Sequence, residues 1–273
     1  MEKKRILFVS QEIYPFLPKS EIASTARNLS QGVQEAGKEI RVFTPRFGCI
    51  NERRHQLHEV IRLSGMNLII DDTDHPLIIK VASISAARMQ VYFIDNEEFF
   101  KRKCTLTDEQ GKDFDDNDER SMFFCRGTLE TVKKLGWQPD VIHCHGWMTA
   151  LMALYIKKVY SKDPHFADTK VVYHMYNEGF NKNWDSRFAD KLKFDGFDAE
   201  IVDALKDSSF ENITRVITKY VDGLTVGSEN LNSELRSIFD DASCLKMDYV
   251  QEELQNKTFS EFFDKVIEES VLI

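Results

Sequence analysis

The chain has no long apolar run, no Cys-x-x-Cys pair and no excess of positive charge, and each absence removes a class of protein. The apolar run Ile6, Leu7, Phe8 and Val9, which follows Lys3, Lys4 and Arg5, is too short for a membrane helix of roughly 20 residues or for the roughly 7 to 15 apolar residues of a signal peptide. It reads as a buried strand. The five cysteines, Cys49, Cys104, Cys125, Cys144 and Cys244, are odd in number and scattered. That is the pattern of free thiols in a reducing cytoplasm rather than of a disulfide framework. Lys and Arg total 36 against 45 Asp and Glu, a net charge of −9, so the basic surface that a nucleic-acid backbone requires is missing. The expected protein is cytoplasmic, with no nucleic-acid and no membrane partner.

What is present is a chain of 273 residues, 42% hydrophobic, enough for one large α/β domain or two small ones. Residues 5 to 10 read as a strand, 21 to 36 as a helix and 39 to 44 as a second strand after Gly37, a right-handed βαβ unit. Between about residues 57 and 95 the alternating segments 60 to 63, 66 to 70, 77 to 82 and 90 to 94 suggest a small antiparallel insertion. Residues 103 to 118 are polar and rich in aspartate, a solvated loop that lacks the glycine and terminal glutamate of a calcium loop. Asn117 or Asp118 then caps a helix running to Leu135. The βα pattern resumes with a strand at 141 to 144, a helix at 147 to 160, a strand at 170 to 174, helical pieces between 187 and 219, a strand at 223 to 226 and a helix at 229 to 239. Ser228, without the frame of a nucleophile elbow, caps that last helix. Residues 248 to 269 form one charged helix with Val250, Leu254, Phe259, Phe262, Phe263 and Val266 on its apolar side.

The densest information lies at His143-Cys144-His145-Gly146-Trp147, where a strand ends on two histidines and turns at a glycine into a helix carrying Leu151, Leu154, Tyr155 and Val159. Side chains alternate along a strand, so both histidines face one side. In open α/β folds such a strand end lines the ligand crevice. Two readings stay open, ligand-facing histidines and hydrogen-bonded core histidines. A metal site is not expected, because no third ligand is spaced nearby.

Four ordered segments resemble bacterial glycogen synthases and plant starch synthases. Residues 6 to 22, from Ile6 through Ser10, Glu12, Pro15 and Lys19, are similar to the family's strand ending in Ser-x-Glu and followed by Lys-Thr-Gly-Gly-Leu. His143 to Leu151 resembles His-x-His-Asp-Trp-x-Thr-Ala. Residues 220 to 234 resemble Ala-Asp-x-Val-Thr-Thr-Val-Ser with its helix, and Asp116 to Arg120 resembles Asp-Asn-x-x-Arg. The match runs from residue 5 to about 240, the amino-terminal half of such an enzyme.

The resemblance implies a Rossmann-like α/β fold, mainly parallel with helices on both faces, which is the amino-terminal half of a GT-B glycosyltransferase. Residues 1 to 247 would form this acceptor-side domain, and residues 248 to 273 a helix packed on it. It also implies His145 as the catalytic residue, beside the transferred sugar. Lys19, His143, Trp147, His174 and Asn117 would bind substrate, although a tryptophan after a strand, as Trp147 is, is more often core. No cofactor is implied; the donor would be ADP-glucose or UDP-glucose and the acceptor an α-glucan or maltooligosaccharide. The family's donor contacts come mostly from a second Rossmann domain, expected here as a separately encoded partner. Four positions depart from the pattern. Glu21 and Ile22 replace the phosphate-facing glycines, Gly146 replaces the aspartate after the second histidine, and Met175 replaces the asparagine after His174. A carboxylate at Glu21 disfavours phosphate. Two functions are consistent with this: a glucosyltransferase domain that works with a donor domain, or a non-catalytic α-glucan-binding or regulatory relative.

Overall fold

The computed structural model describes residues 3–269; residues 1, 2 and 270–273, which belong to the two expected segments, lie outside it. Among the described residues ten strands form one sheet in the order β10-β9-β8-β7-β1-β2-β6-β5-β3, with β4 paired to β5. They are β1 Arg5–Ser10, β2 Glu39–Pro45, β3 His58–Glu59, β4 Met66–Ile70, β5 Thr73–Ile84, β6 Met89–Asp95, β7 Val141–His145, β8 Lys170–Met175, β9 Gly223–Val226 and β10 Leu245–Met247. Seven of them, β1, β2, β6, β7, β8, β9 and β10, run parallel; β5 is antiparallel to β6, β3 and β4. β1 is flanked by β2 on one side and β7 on the other. From β1 the chain first builds outward through β2 and β6, then returns to build through β7, β8, β9 and β10. The carboxyl ends of β1 and β7 are therefore a topological switch point, where open α/β sheets bind ligands.

The expected α/β architecture is the one observed, with local corrections. The segment at 90 to 94 is β6, which pairs antiparallel with β5 as expected but also in parallel with β2, joining the insertion to the parallel sheet. At 60 to 63 the chain turns instead of extending, and β10 adds a short parallel edge beside β9. The helix expected at 147 to 160 is composite. It begins as a 3-10 turn at Trp147–Thr149, continues as α at Met152–Leu154 and widens to a π turn at Tyr155–Val159. Such a widened turn shifts the register of the helix face, so Val159, inward on a 3.6-residue period, is 40% exposed. The hydroxyls of Tyr155 and Tyr160 instead anchor this segment on Asp195 and Glu130. Helix caps also differ. Asp116, not Asn117 or Asp118, precedes helix Asn117–Lys134, and Asn232, not Ser228, caps helix Ser233–Asp241 through Leu235 N.

Helix Glu252–Glu268 lies on the sheet face beneath β1, β7, β8 and β9. Phe263 meets Phe8 and His143, Phe259 meets His143 and His174, and Phe262 reaches Gly223. It also packs along helix Glu21–Glu35, where a Cβ on Gly32 would lie 1.9 Å from Asn256. Asn28 donates to Glu252 at 2.6 Å, and Lys38 reaches Ser260 at 2.9 Å and Asp264 at 3.0 Å. Phe259, Phe262, Phe263 and Val266 are buried, whereas Leu254 is 63% exposed. Five residues before Phe259, Leu254 is rotated by about 140° at 100° per residue, which carries it off the apolar side. Truncating Phe263 to Ala leaves a hole against Phe8, and Phe263→Ala is expected to lower stability by about 3 to 5 kcal/mol. Leu254→Ala should change it by less than about 0.5 kcal/mol. Urea unfolding of the two variants measures the contrast, and equal effects would contradict this packing.

Candidate active site

Three strand ends converge at the switch point. Ser10 of β1 is in register with His145 of β7, and His145 with His174 of β8. Alternation places His143 on the same face as His145, so the three imidazoles touch, with ring centres 4.2, 5.3 and 5.0 Å apart. All three are fully buried. His145 Nε2 lies 3.1 Å from His143 Nδ1, and His145 Nδ1 lies 2.8 Å from the Tyr176 hydroxyl. His174 Nδ1 is paired with the Thr225 hydroxyl. Among the described residues the outer nitrogens, Nε2 of His143 and Nε2 of His174, have no hydrogen-bond partner. Among the described residues no group of three or more His, Cys, Asp or Glu side chains is placed to hold a metal ion.

Burial decides the charge of this cluster. An imidazole taken out of water loses the solvation of its cation, and His145 is held down to about 3 by that effect. His143 stays well below the ordinary value through burial and then through His145 and His174, and His174 through burial and then His145. The cluster is neutral at physiological pH.

Around it the crevice is polar and acidic. Gln11, directly after β1, donates to Glu178 at 2.6 Å and accepts from Met148 N at 3.2 Å. Gly146 has φ of +84°, and a Cβ there would lie 2.4 Å from the Gln11 side chain. An aspartate at 146 would compete with Gln11 for the same space. Glu178 is pushed up to about 7 by burial and by Glu12 and Glu21, against the Gln11 hydrogen bond. Ser20 caps helix Glu21–Glu35 and donates to Glu12; Glu21 accepts from Ser228. A crevice runs between Ser20, Glu21, Ser24 and Thr25 on one wall and Gly227, Tyr249, Glu252 and Gln255 on the other.

The expected site residues separate into two groups. His143, His145 and His174 come together. Lys19 is exposed and lies over the Tyr14 ring at 5.3 Å. Trp147 is buried against Phe180 and Trp184, so its faces meet protein. Asn117 is buried, donating to Leu106 O at 2.9 Å and accepting from Arg120 at 2.7 Å. Buried Arg120 in turn donates to Phe99 O and Thr105 O, so the Asp116 to Arg120 motif clamps the preceding loop. That loop is less solvated than its composition suggests: Asp113 accepts from the backbone N–H groups of Asn181 and Lys182. Gln11, Tyr176, Glu178 and Thr225 were missed. Each lies at or just past the carboxyl end of a central strand, a positional signal that could have found them.

The fold is a doubly wound α/β domain with a crevice beside its switch point. The family profile described as starch synthase catalytic domain matches residues 5–250, and the chain belongs to that family. Glycogen synthase of Chlorobium limicola is 39% identical over 174 residues, covering 63% of this chain and 36% of that protein. Glycogen synthase of Chlorobaculum parvum is 33% identical over 238 residues, covering 85% and 47%. The chain thus spans less than half the length of either relative. The catalytic domain of starch synthase IV from Arabidopsis thaliana, solved with ADP and acarbose, matches with a TM-score of 0.74 over 92% of this chain and 52% of that one, at 17% identity. At that identity the likeness is one of fold.

The buried histidines make stability depend on pH with a definite sign. An unfolded imidazole takes up its proton near 6.5, whereas the folded His145 does so at about 3. Between those values the unfolded chain binds more protons, so this contribution is complete above 6.5 and is lost as pH falls. Glu178, pushed up to about 7, and Asp118, pushed up to about 6 against Lys191, act in the opposite sense. The difference between wild type and His174→Gln isolates the cluster. The stability advantage of the wild type over the variant should narrow as pH falls from 7 to 4, read as the difference in Tm; a constant difference would contradict neutral burial of His174.

Proposed function

We propose that this chain is the acceptor-side part of a glucan glucosyltransferase, which transfers glucose from a nucleotide sugar to an α-1,4-glucan. The observation that carries the reading is the convergence of His143, His145 and His174 at the switch point, in a domain of the starch synthase catalytic family. In this reading an α-glucan or maltooligosaccharide is the acceptor, and ADP-glucose or UDP-glucose is the donor. His145 acts beside the transferred sugar, and most donor contacts come from a second Rossmann domain. Free thiols at all five cysteines fit a cytoplasmic enzyme, and no described helix is long and apolar enough to cross a membrane.

Two observations favour acceptor binding without transfer when residues 1–273 act by themselves. Both nitrogens of His145 are already engaged. Glu12, Glu21 and Glu178 stand together near the crevice, so a donor diphosphate would meet like charge. Residues 1–273 alone should bind maltooligosaccharide, bind ADP-glucose and UDP-glucose weakly and turn neither over. Glu21→Gly should tighten nucleotide-sugar binding by about tenfold, or roughly 1.4 kcal/mol. Calorimetry and a turnover assay with maltooligosaccharide test this. Failure to bind any maltooligosaccharide would remove the acceptor reading, and steady turnover by these residues alone would remove the need for a second domain.

A further inference from the structure

Tyr176 stands between the buried histidines and the open crevice. Its hydroxyl is 2.8 Å from His145 Nδ1, and Thr25 is a further polar neighbour of it. Thr25 lines the crevice together with Glu21, Ser24 and Gly227. The ring fits there because residue 227 is glycine: a Cβ would lie 2.2 Å from Tyr176 Cε1. Burial holds the phenol well above its ordinary value, so it is a neutral hydroxyl able both to donate and to accept.

Counting protons orders the chain of hydrogen bonds. A neutral imidazole has one N–H and one bare nitrogen. If His145 Nε2 donated to His143 Nδ1, His143 would carry its own proton on Nε2, a buried N–H with no acceptor among the described residues. If His143 Nδ1 donates instead, its Nε2 is a bare nitrogen and His145 carries its proton on Nδ1, facing Tyr176. A buried N–H without an acceptor is the rarer defect, which favours the second arrangement.

We propose that Tyr176 is a positioning residue for His145: it accepts from His145 Nδ1, fixes that tautomer, and extends the chain through its own O–H toward Thr25 on the crevice wall. Gly227 is the position that leaves room for it. A ligand in the crevice, an α-glucan in the reading above, then meets the end of that chain at Thr25, beside the carboxylates of Glu21 and Glu252. Only this last step rests on the glucosyltransferase reading; the tautomer does not.

The test is long-range proton–nitrogen NMR of residues 1–273 carrying 15N-labelled histidine at neutral pH. Wild type should show a protonated Nδ1 and a bare Nε2 at His145. Tyr176→Phe keeps the ring but removes the acceptor, and should shift the His145 nitrogens toward the opposite tautomer while leaving His174 unchanged. Gly227→Ala, which displaces the ring rather than removing its hydroxyl, should shift the same histidine. A His145 protonated on Nε2 in wild type overturns the proposal, and so does a Tyr176→Phe spectrum unchanged at His145. The wild-type spectrum alone decides if neither variant folds. Maltooligosaccharide titrated into the same samples reports separately on the acceptor reading, since absent binding with the expected tautomer sinks that reading alone.

Discussion

The parallel pairing of β7 with β1 on one side and β8 on the other is the constraint on which the rest of the structure depends. It sets Ser10, His145 and His174 level with one another and makes the end of β1 the point where the chain reverses its direction of growth. Alternation along β7 then adds His143 to the same face. Three polar rings are thereby fixed in an otherwise apolar layer, and everything around them answers the cost of burying them unpaired.

That answer has three parts. Neutralisation by burial removes the charge. Hydrogen bonds among His143, His145, Tyr176 and between His174 and Thr225 satisfy the inner nitrogens. The aromatic faces of Phe8, Phe259 and Phe263 cover what remains. The carboxyl-terminal helix is therefore as much a part of the histidine cluster's surroundings as the strands are. Its place is also held from the side by Asn28 and Lys38.

The crevice above the cluster has its own logic. Gln11 takes the space beside Gly146, Tyr176 the space beside Gly227, and Glu21 lies against Ser228. These side chains fill and acidify the mouth, while the helix start at Ser20 offers a cap to Ala23 N rather than an open cradle. The family architecture is kept, and the carboxylates of Glu21 and Glu252 line the crevice at its mouth.

Local patterns in the sequence were enough to determine the βαβ start, the parallel α/β class and the common face of His143 and His145, because a period of two or 3.6 is a property of neighbouring residues. The ordered motifs were enough to determine the family. Tertiary structure decided what depends on residues far apart in the chain. It joined β6 to β2, added β10, brought His174 against His145, and turned Asn117 and Trp147 inward. Leu254 and Val159 show the limit at residue scale: both looked apolar in the right company, but one lies 140° off the buried side at 100° per residue and the other sits at the end of a π turn. Tyr176 and Gln11 were hidden for a different reason. Only their place just past the carboxyl ends of β1 and β8 marks them, and their role exists only because the carboxyl ends of β1, β7, β8 and β9 meet in space.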